Sequence, residues 1–251
     1  MSFFENRCIS RRQCLALGLG SALGFTAHAQ SAAIRRLGIC SLLGNSVRIV
    51  ARETQEALFK DVGMDEVAFD AVGRTLQARQ PQAELRHFRA PAEVDVEDQL
   101  NIGTAAARRA ELPRWVSNAA SETALSHVLL VTSNSGVMHF RTGLSEVVGS
   151  DRVTGIGFVV SGAGRTKNYN TGTASTGYLA PFVQLRLTLV DLSGPRVVHS
   201  ASLSEGYIVG APVAEAPDPW RYMSRSEKTL ALQQLLRQVI TRGMQEVLDA
   251  A

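Results

Sequence analysis

Cysteine is scarce in this 251-residue sequence, with three copies, and prolines (eight) and aromatics (6%) are few as well. Cys8 and Cys14 fall within the first 29 residues and Cys40 stands alone beyond them, so the remainder can build no disulfide framework. Few prolines and aromatics argue against a carbohydrate-binding β-scaffold and against a low-complexity chain. The longest basic runs after residue 29 are the pairs Arg35-Arg36 and Arg108-Arg109. A nucleic-acid binder concentrates more positive charge than that. No apolar stretch approaches the roughly 20 residues that a helix needs to cross a bilayer.

The longest apolar run, Cys14 to Thr26, has 13 residues and comes after Arg7, Arg11 and Arg12. Ala27-His28-Ala29 closes it with an A-x-A pattern, so residues 1–29 read as a cleaved export signal with the cut before Gln30. Ser10-Arg11-Arg12-Gln13-Cys14-Leu15 resembles the twin-arginine export motif, with Cys14 where a phenylalanine is usual. This resemblance implies export in a folded state. The expected location of residues 30–251 is the periplasm of a Gram-negative bacterium.

Removing the signal changes the charge. The whole chain carries a formal net charge of +3, but residues 1–29 hold three arginines against Glu5 alone, which leaves 23 basic and 22 acidic groups. The sequence pI of about 9.0 therefore describes the signal more than the working protein. The remaining length suits one globular domain with a core of its own. Cys40, within Leu37-Gly38-Ile39-Cys40-Ser41-Leu42-Leu43, reads as a buried small hydrophobe. No lipobox surrounds any cysteine, so the mature chain is expected to be soluble and without a lipid anchor.

The hydrophobic pattern predicts an α/β fold that becomes α+β in its second half. Residues 34–50 read as a strand or strand pair with a turn signal at Gly44-Asn45, and 51–64 as polar and irregular. Asp65 opens a helix with Phe69, Val72 and Leu76 on one face, ending before Pro81. Glu84 to Arg89 alternates as a short strand. Residues 91–98 form an acidic connection, and 100–124 read as helix, broken near Pro113. Val128 to Val131 is a short buried strand. This β-α-β-α-β order predicts parallel pairing.

Glycines change the character of the second half, with eight among residues 143–177. Val153 to Val160 reads as a strand and 161–177 as a flexible Gly/Ser/Thr/Asn-rich loop. Val183 to Leu189 has strict period two, one face buried and one wet. Asp191-Leu192-Ser193-Gly194 turns the chain into a partner strand from Arg196 to Leu203, so this region is an antiparallel meander. Ser224 and Glu227 have capping-box spacing. Leu232, Leu235, Leu236, Val239, Ile240, Gly243 and Val247 then form one stripe of a long amphipathic helix packed on the sheet.

Chemistry-bearing motifs are sparse. Gly44-Asn45-Ser46 resembles the Gly-Asp-Ser block of the SGNH/GDSL hydrolases, which implies Ser46 as nucleophile of a periplasmic serine hydrolase. Asn45 replaces the family's aspartate, and no Asp-x-x-His block precedes His87, His127, His139 or His199. A serine without a positioned base is a poor nucleophile, and the competing expectation is a Gly-Asn hairpin turn. The histidines share no metal-ligand spacing. Glu93, Asp95, Glu97 and Asp98 lack the order of a calcium loop. Gly155-Ile156-Gly157 and Ser161 to Lys167 lack phosphate-loop spacing and read as hairpin and loop glycines. No cofactor and no metal is expected.

The element order itself resembles the group of envelope proteins that includes the TolB N-terminal domain, the curli-secretion lipoprotein and the lipoprotein activators of penicillin-binding proteins. Three parts carry the likeness: the helix-then-strand unit ending in His127 to Thr132, the hairpin Val183 to Leu203, and the terminal helix. The resemblance implies a binding or assembly factor of the cell envelope, with a protein or cell-wall partner and no nucleic acid. The sequence also looks similar to uncharacterised exported bacterial proteins.

Overall fold

The computed structural model describes residues 34–44, 46–51, 54–60, 63–87, 116, 124–141, 147–167, 174–194, 196–209 and 218–251. The chain divides into two units, Met1–Gln30 and Ser31–Ala251, and every described residue belongs to the second. The expected signal, the acidic connection and all but Val116 and Ala124 of the expected 100–124 helix lie outside the described residues; Ala124 is a turn residue with φ +50° where helix was expected.

Nine strands form one mixed sheet among the described residues. They are β1 (Arg36–Ser41), β2 (Ser46–Ala51), β3 (Thr54–Lys60), β4 (Glu84–His87), β5 (His127–Ser133), β6 (Ser135–Arg141), β7 (Val147–Lys167), β8 (Ala174–Asp191) and β9 (Arg196–Gly206). Helix α1 spans Met64–Arg79 and helix α2 spans Arg225–Ala250. Neighbours follow the order β3-β2-β7-β8-β5-β1-β4, with β6 joined to β7 and β9 to β8. The parallel half is as expected, since β1 lies between β4 and β5 and runs parallel to both. The second half is the expected antiparallel meander, β6 to β9.

Both helices pack on one face of the sheet, called the front here. Their stripes meet Leu37 and Ile39 of β1, Leu129 and Val131 of β5, and Leu185, Leu187 and Leu189 of β8 in the main core. Helix α2 is built as its sequence indicates. Ser224 Oγ accepts the Glu227 N–H at 3.3 Å, and a Glu227 carboxylate oxygen accepts the Ser224 N–H at 2.6 Å, closing the capping box. All seven residues of the expected stripe are buried. Gly243 lets α2 lie close against the sheet: a Cβ there would run into the Leu203 and Leu187 side chains.

Four expectations are corrected. The hairpin expected at Gly44-Asn45 is not formed, because β1 and β2 do not pair with each other: β1 pairs with β4 and β5, and β2 with β3 and β7. Residues 54–60, expected to be irregular, form edge strand β3, paired antiparallel to β2. The loop expected at 161–177 is mostly strand: Ser161 pairs with Tyr178 and Lys167 with Ala174, with a register shift between Ser161 and Arg165. The small polar residues there are poor strand formers alone, but each strand has a neighbour to complete its ladder. Finally, β8 is covered on both faces from Gly177 to Val190, with only Arg186 half-buried among them.

A strand switch organises the centre. Residues 127–141 run through β5 and β6 with only Asn134 between them. The β5 part pairs with β8 and the β6 part with the first third of β7. At the crossing, Asn134 N–H donates to Gln184 C=O and Gly155 N–H donates to Asn134 C=O, both at 3.0 Å. Gly155 turns β7 from one partner to the other with φ +70°, and a Cβ would stand 2.9 Å from Ser133 Oγ. The resulting β6–β7 arm lies on the back of the sheet, packing Met138, Phe140 and Val153 against Tyr178, Ala180 and Phe182.

Candidate functional site

In open sheets with parallel strands, ligands sit beyond the carboxyl ends of those strands, where the strand order reverses. Here that point is the end of β1, since the chain proceeds from β1 to β4 on one side and β5 on the other. Phe69, early in α1, meets His87 at the end of β4 edge-on with ring centroids 4.4 Å apart. Helix α1 therefore runs antiparallel to the strands, and its first turn stands at their carboxyl ends. Ser41 Oγ, closing β1, and Asp65 Oδ1, in that first turn, are buried oxygens without a hydrogen-bond partner. The Gly44-Asn45-Ser46 segment leaves from the same end.

The geometry around Ser46 matches a strand start. Ser46 is the first residue of β2 and stands opposite Lys60 of β3. Strands β2, β3 and β7 contain no histidine. His87 is on edge strand β4, His127 on β5, His139 exposed on β6 and His199 on β9. The structure thus brings no described histidine onto the strand of Ser46 or its two neighbours.

Another trio looks catalytic by composition. His127 Nδ1 lies 3.1 Å from Ser126 Oγ, and Asp191 is directly opposite His127 across the β5–β8 ladder. Ser126, however, is fully engaged by the backbone of Arg36. Its Oγ accepts the Arg36 N–H at 3.1 Å and donates to the Arg36 C=O at 2.9 Å. A hydroxyl has one proton, and this one is already given to a carbonyl. Ser126 is a bracket between β1 and β5.

Burial holds the His127 imidazole below its usual pKa, with nearby Arg196 adding to the effect and Asp191 opposing it. Burial pushes the Asp191 carboxyl upward, but it is outweighed by the Ser193 N–H and hydroxyl bonds, His127 and Arg196, so Asp191 titrates below its ordinary value. Those two Ser193 bonds, at 2.9 and 2.8 Å, close the β8–β9 turn. The cluster is a charged knot at one end of the sheet.

The expected structural role of the other histidines has direct contacts. His199 Nε2 lies 3.3 Å from Glu246 of α2, and His87 is held against Phe69. Among the described residues no three His, Cys, Asp or Glu side chains gather as a metal site. Gly155 and Gly157 are strand residues, where hairpin and loop positions were expected. Gly157 pairs with Arg48 of β2, and a Cβ there would run into the Arg48 backbone oxygen. The acidic residues Glu93, Asp95, Glu97 and Asp98 lie outside the described residues. Cys40 is buried, as expected.

A covered polar strip crosses the back of β8. The back-facing residues of β8 run Tyr178, Ala180, Phe182, then Gln184, Arg186, Thr188, then Val190, so a polar strip separates two apolar clusters. Gln184 is 7% exposed and its Oε1 has no hydrogen-bond partner. Arg186 Nη2 donates to Asn134 Oδ1 at 3.1 Å, and burial lowers the pKa of its guanidinium. Thr188 Oγ1 is 3.2 Å from Ser200 Oγ. The alternation in Gln184-Leu185-Arg186-Leu187-Thr188-Leu189 marks a polar face but cannot say that the face is covered.

The arrangement is that of a mixed α/β sheet with helices on one face. No protein-family model matches the chain, and no curated protein matches it. Solved structures to which the chain shows some similarity include a Xanthomonas campestris protein of the DUF330 family, at 14% identity and TM-score 0.39, covering 86% of this chain and 85% of that one. The PelC dodecamer of Paraburkholderia phytofirmans is 15% identical with TM-score 0.31, over 83% of this chain and 87% of that one. The LpoB C-terminal domain from Salmonella enterica is 11% identical with TM-score 0.25, over 70% and 86%. Scores and identities this low assign no function. The likeness to the TolB and curli-secretion group stays one of element order. No helix among the described residues is long and apolar enough to cross a membrane.

Proposed function

We propose that residues 1–29 direct export by the twin-arginine route, with cleavage before Gln30, and that residues 30–251 act in the periplasm as a binding or assembly factor of the cell envelope. The observation that carries the non-catalytic reading is the committed proton of Ser126. Among the described residues, the serine that stands beside a histidine and aspartate is spent on joining β1 to β5. The separation of Ser46 from the described histidines supports the same reading.

Binding would use surfaces that the scaffold leaves apolar and open. Val137 on the arm and Leu230 on α2 are 57% and 50% exposed. Photo-crosslinking residues at these two positions, in cells exporting the protein, should give a discrete adduct with an envelope component. The reading is overturned if purified protein hydrolyses short-chain esters and Ser46→Ala abolishes the turnover. Sequencing the amino terminus of the exported protein should find Gln30, and substituting Arg11 and Arg12 with lysine should block export.

A further inference from the structure

We infer that the outer edge of β9 is an interface for a second copy of this chain, paired antiparallel about Ala201. Strand β9 has 11 residues and bonds to β8 along one edge. Among the described residues no strand pairs with its other edge. From Val197 to Ser204 the sequence is Val-Val-His-Ser-Ala-Ser-Leu-Ser, without lysine, carboxylate or proline. Exposed edges are ordinarily blunted by such residues or by brevity, and an edge with neither is a template for another strand.

The backbone groups available on that edge can be identified. Gln184 stands opposite Ser204 and directs its C=O away from β9, to Asn134 N–H. The pair Gln184–Ser204 is therefore a non-hydrogen-bonded pair, and Ser204 points its own N–H and C=O outward. By alternation so do Ser202 and Ser200. Arg242 Nη2 caps the Ser204 C=O at 3.0 Å, while Arg242 Nη1 pairs with Glu205 at 2.7 Å. Among the described residues no side chain caps the outward groups of Ser200 and Ser202.

The strand is complementary to itself. With Ala201 on a twofold axis, Ser200 of each copy faces Ser202 of the other, and these two pairs exchange backbone hydrogen bonds. Serine then opposes serine on the back, which suits hydroxyl cross-strand pairs. His199 of each copy faces Leu203 of the other on the front. Arg196 and Glu205, at the two ends, are already paired within each chain, with Asp191 and Arg242. The Arg242 cap on Ser204 limits the pairing to the central segment and fixes its register.

The test is the mass of the exported, purified protein by light scattering from low micromolar concentration upward, together with two variants. Wild type should be dimeric. Ser202→Pro removes one outward N–H at an edge position that tolerates proline, and should halve the mass with an unchanged circular dichroism spectrum. Ala201→Cys should form an intermolecular disulfide on mild oxidation, because the axis brings the two Cα atoms to about 4.5 Å. A wild type that stays monomeric with no Ala201→Cys crosslink overturns the inference. So does a dimer that survives Ser202→Pro without that crosslink. Should Ser202→Pro misfold, Ser202→Lys gives the same reading, since two lysines would then flank the axis.

Discussion

The two faces of β8 are built on different principles. Leu179, Val183, Leu185, Leu187 and Leu189 on its front enter one continuous apolar core under the two helices. Its even-numbered residues divide into an apolar cluster under the β6–β7 arm, a polar strip, and a second small cluster at Val190. The front face needs only area and fit, which any well-patterned amphipathic helix supplies. The back face depends on where β6 and β7 leave the sheet, and that is set by the backbone bonds of Asn134 to Gln184 and Gly155. Stability is thus spread over the front and concentrated at particular residues on the back.

The largest expected effects test whether the back cluster is as firm as the front core. Leu187→Ala, on the front, should cost about 2–5 kcal/mol and Phe182→Ala, on the back, about 3–5 kcal/mol in urea unfolding. A Phe182→Ala loss below about 1 kcal/mol would mean that the arm does not pack on β8 in solution. Gly157→Ala should cost about 1–3 kcal/mol, since the new methyl meets the Arg48 carbonyl oxygen and the Phe182 ring at once. Equal stability in that variant would show that β2 and β7 are not paired this tightly at Gly157 in solution. On the front, Ser224→Ala should cost about 1 kcal/mol by removing the α2 cap, and thermal unfolding would show it as a lowered midpoint.

The smallest effect is a pH dependence at the end of the sheet. His127 titrates below 6.5 in the fold because burial disfavours its cation, so the unfolded chain binds its proton first. Its contribution is fully present above pH 6.5 and declines as pH falls toward the lowered folded value. Asp191 acts in the same direction at lower pH, contributing above 3.8 and losing that contribution as pH drops through its depressed folded value. His127→Gln should flatten the urea midpoint against pH below neutrality. An unchanged slope would show that His127 is solvated, and the knot loose.

Much of the fold was legible because periodicity reports burial directly. The α2 stripe, its capping box, the buried run Val128 to Val131 and the Asp191–Gly194 turn all announce themselves within a few residues of chain. Strand β3 did not, because Thr54-Gln55-Glu56-Ala57-Leu58-Phe59-Lys60 lies at an edge and carries little apolar alternation. Residues 161–167 and 174–177 did not either, since their small polar side chains say loop while the ladder to a neighbouring strand says otherwise. The candidate site was least legible. Ser46 was visible as a motif, but its distance from the histidines in the strand order, and the bonding of Ser126 to Arg36, belong to residues far apart in the chain.

By itself, the sequence determined the elements and the charge. It set which residues form α2, where β8 turns into β9, that parallel strands precede an antiparallel meander, and that the basic excess sits in the first 29 residues. The tertiary structure decided which strands become neighbours, that β5 and β6 exchange partners at Asn134, that the polar face of β8 is covered, and that the outer edge of β9 is paired with no other described strand. The physical reason is range. Propensity, capping and periodicity act within a few residues, whereas pairing, burial of a second face and commitment of a hydroxyl proton need groups that only folding brings together.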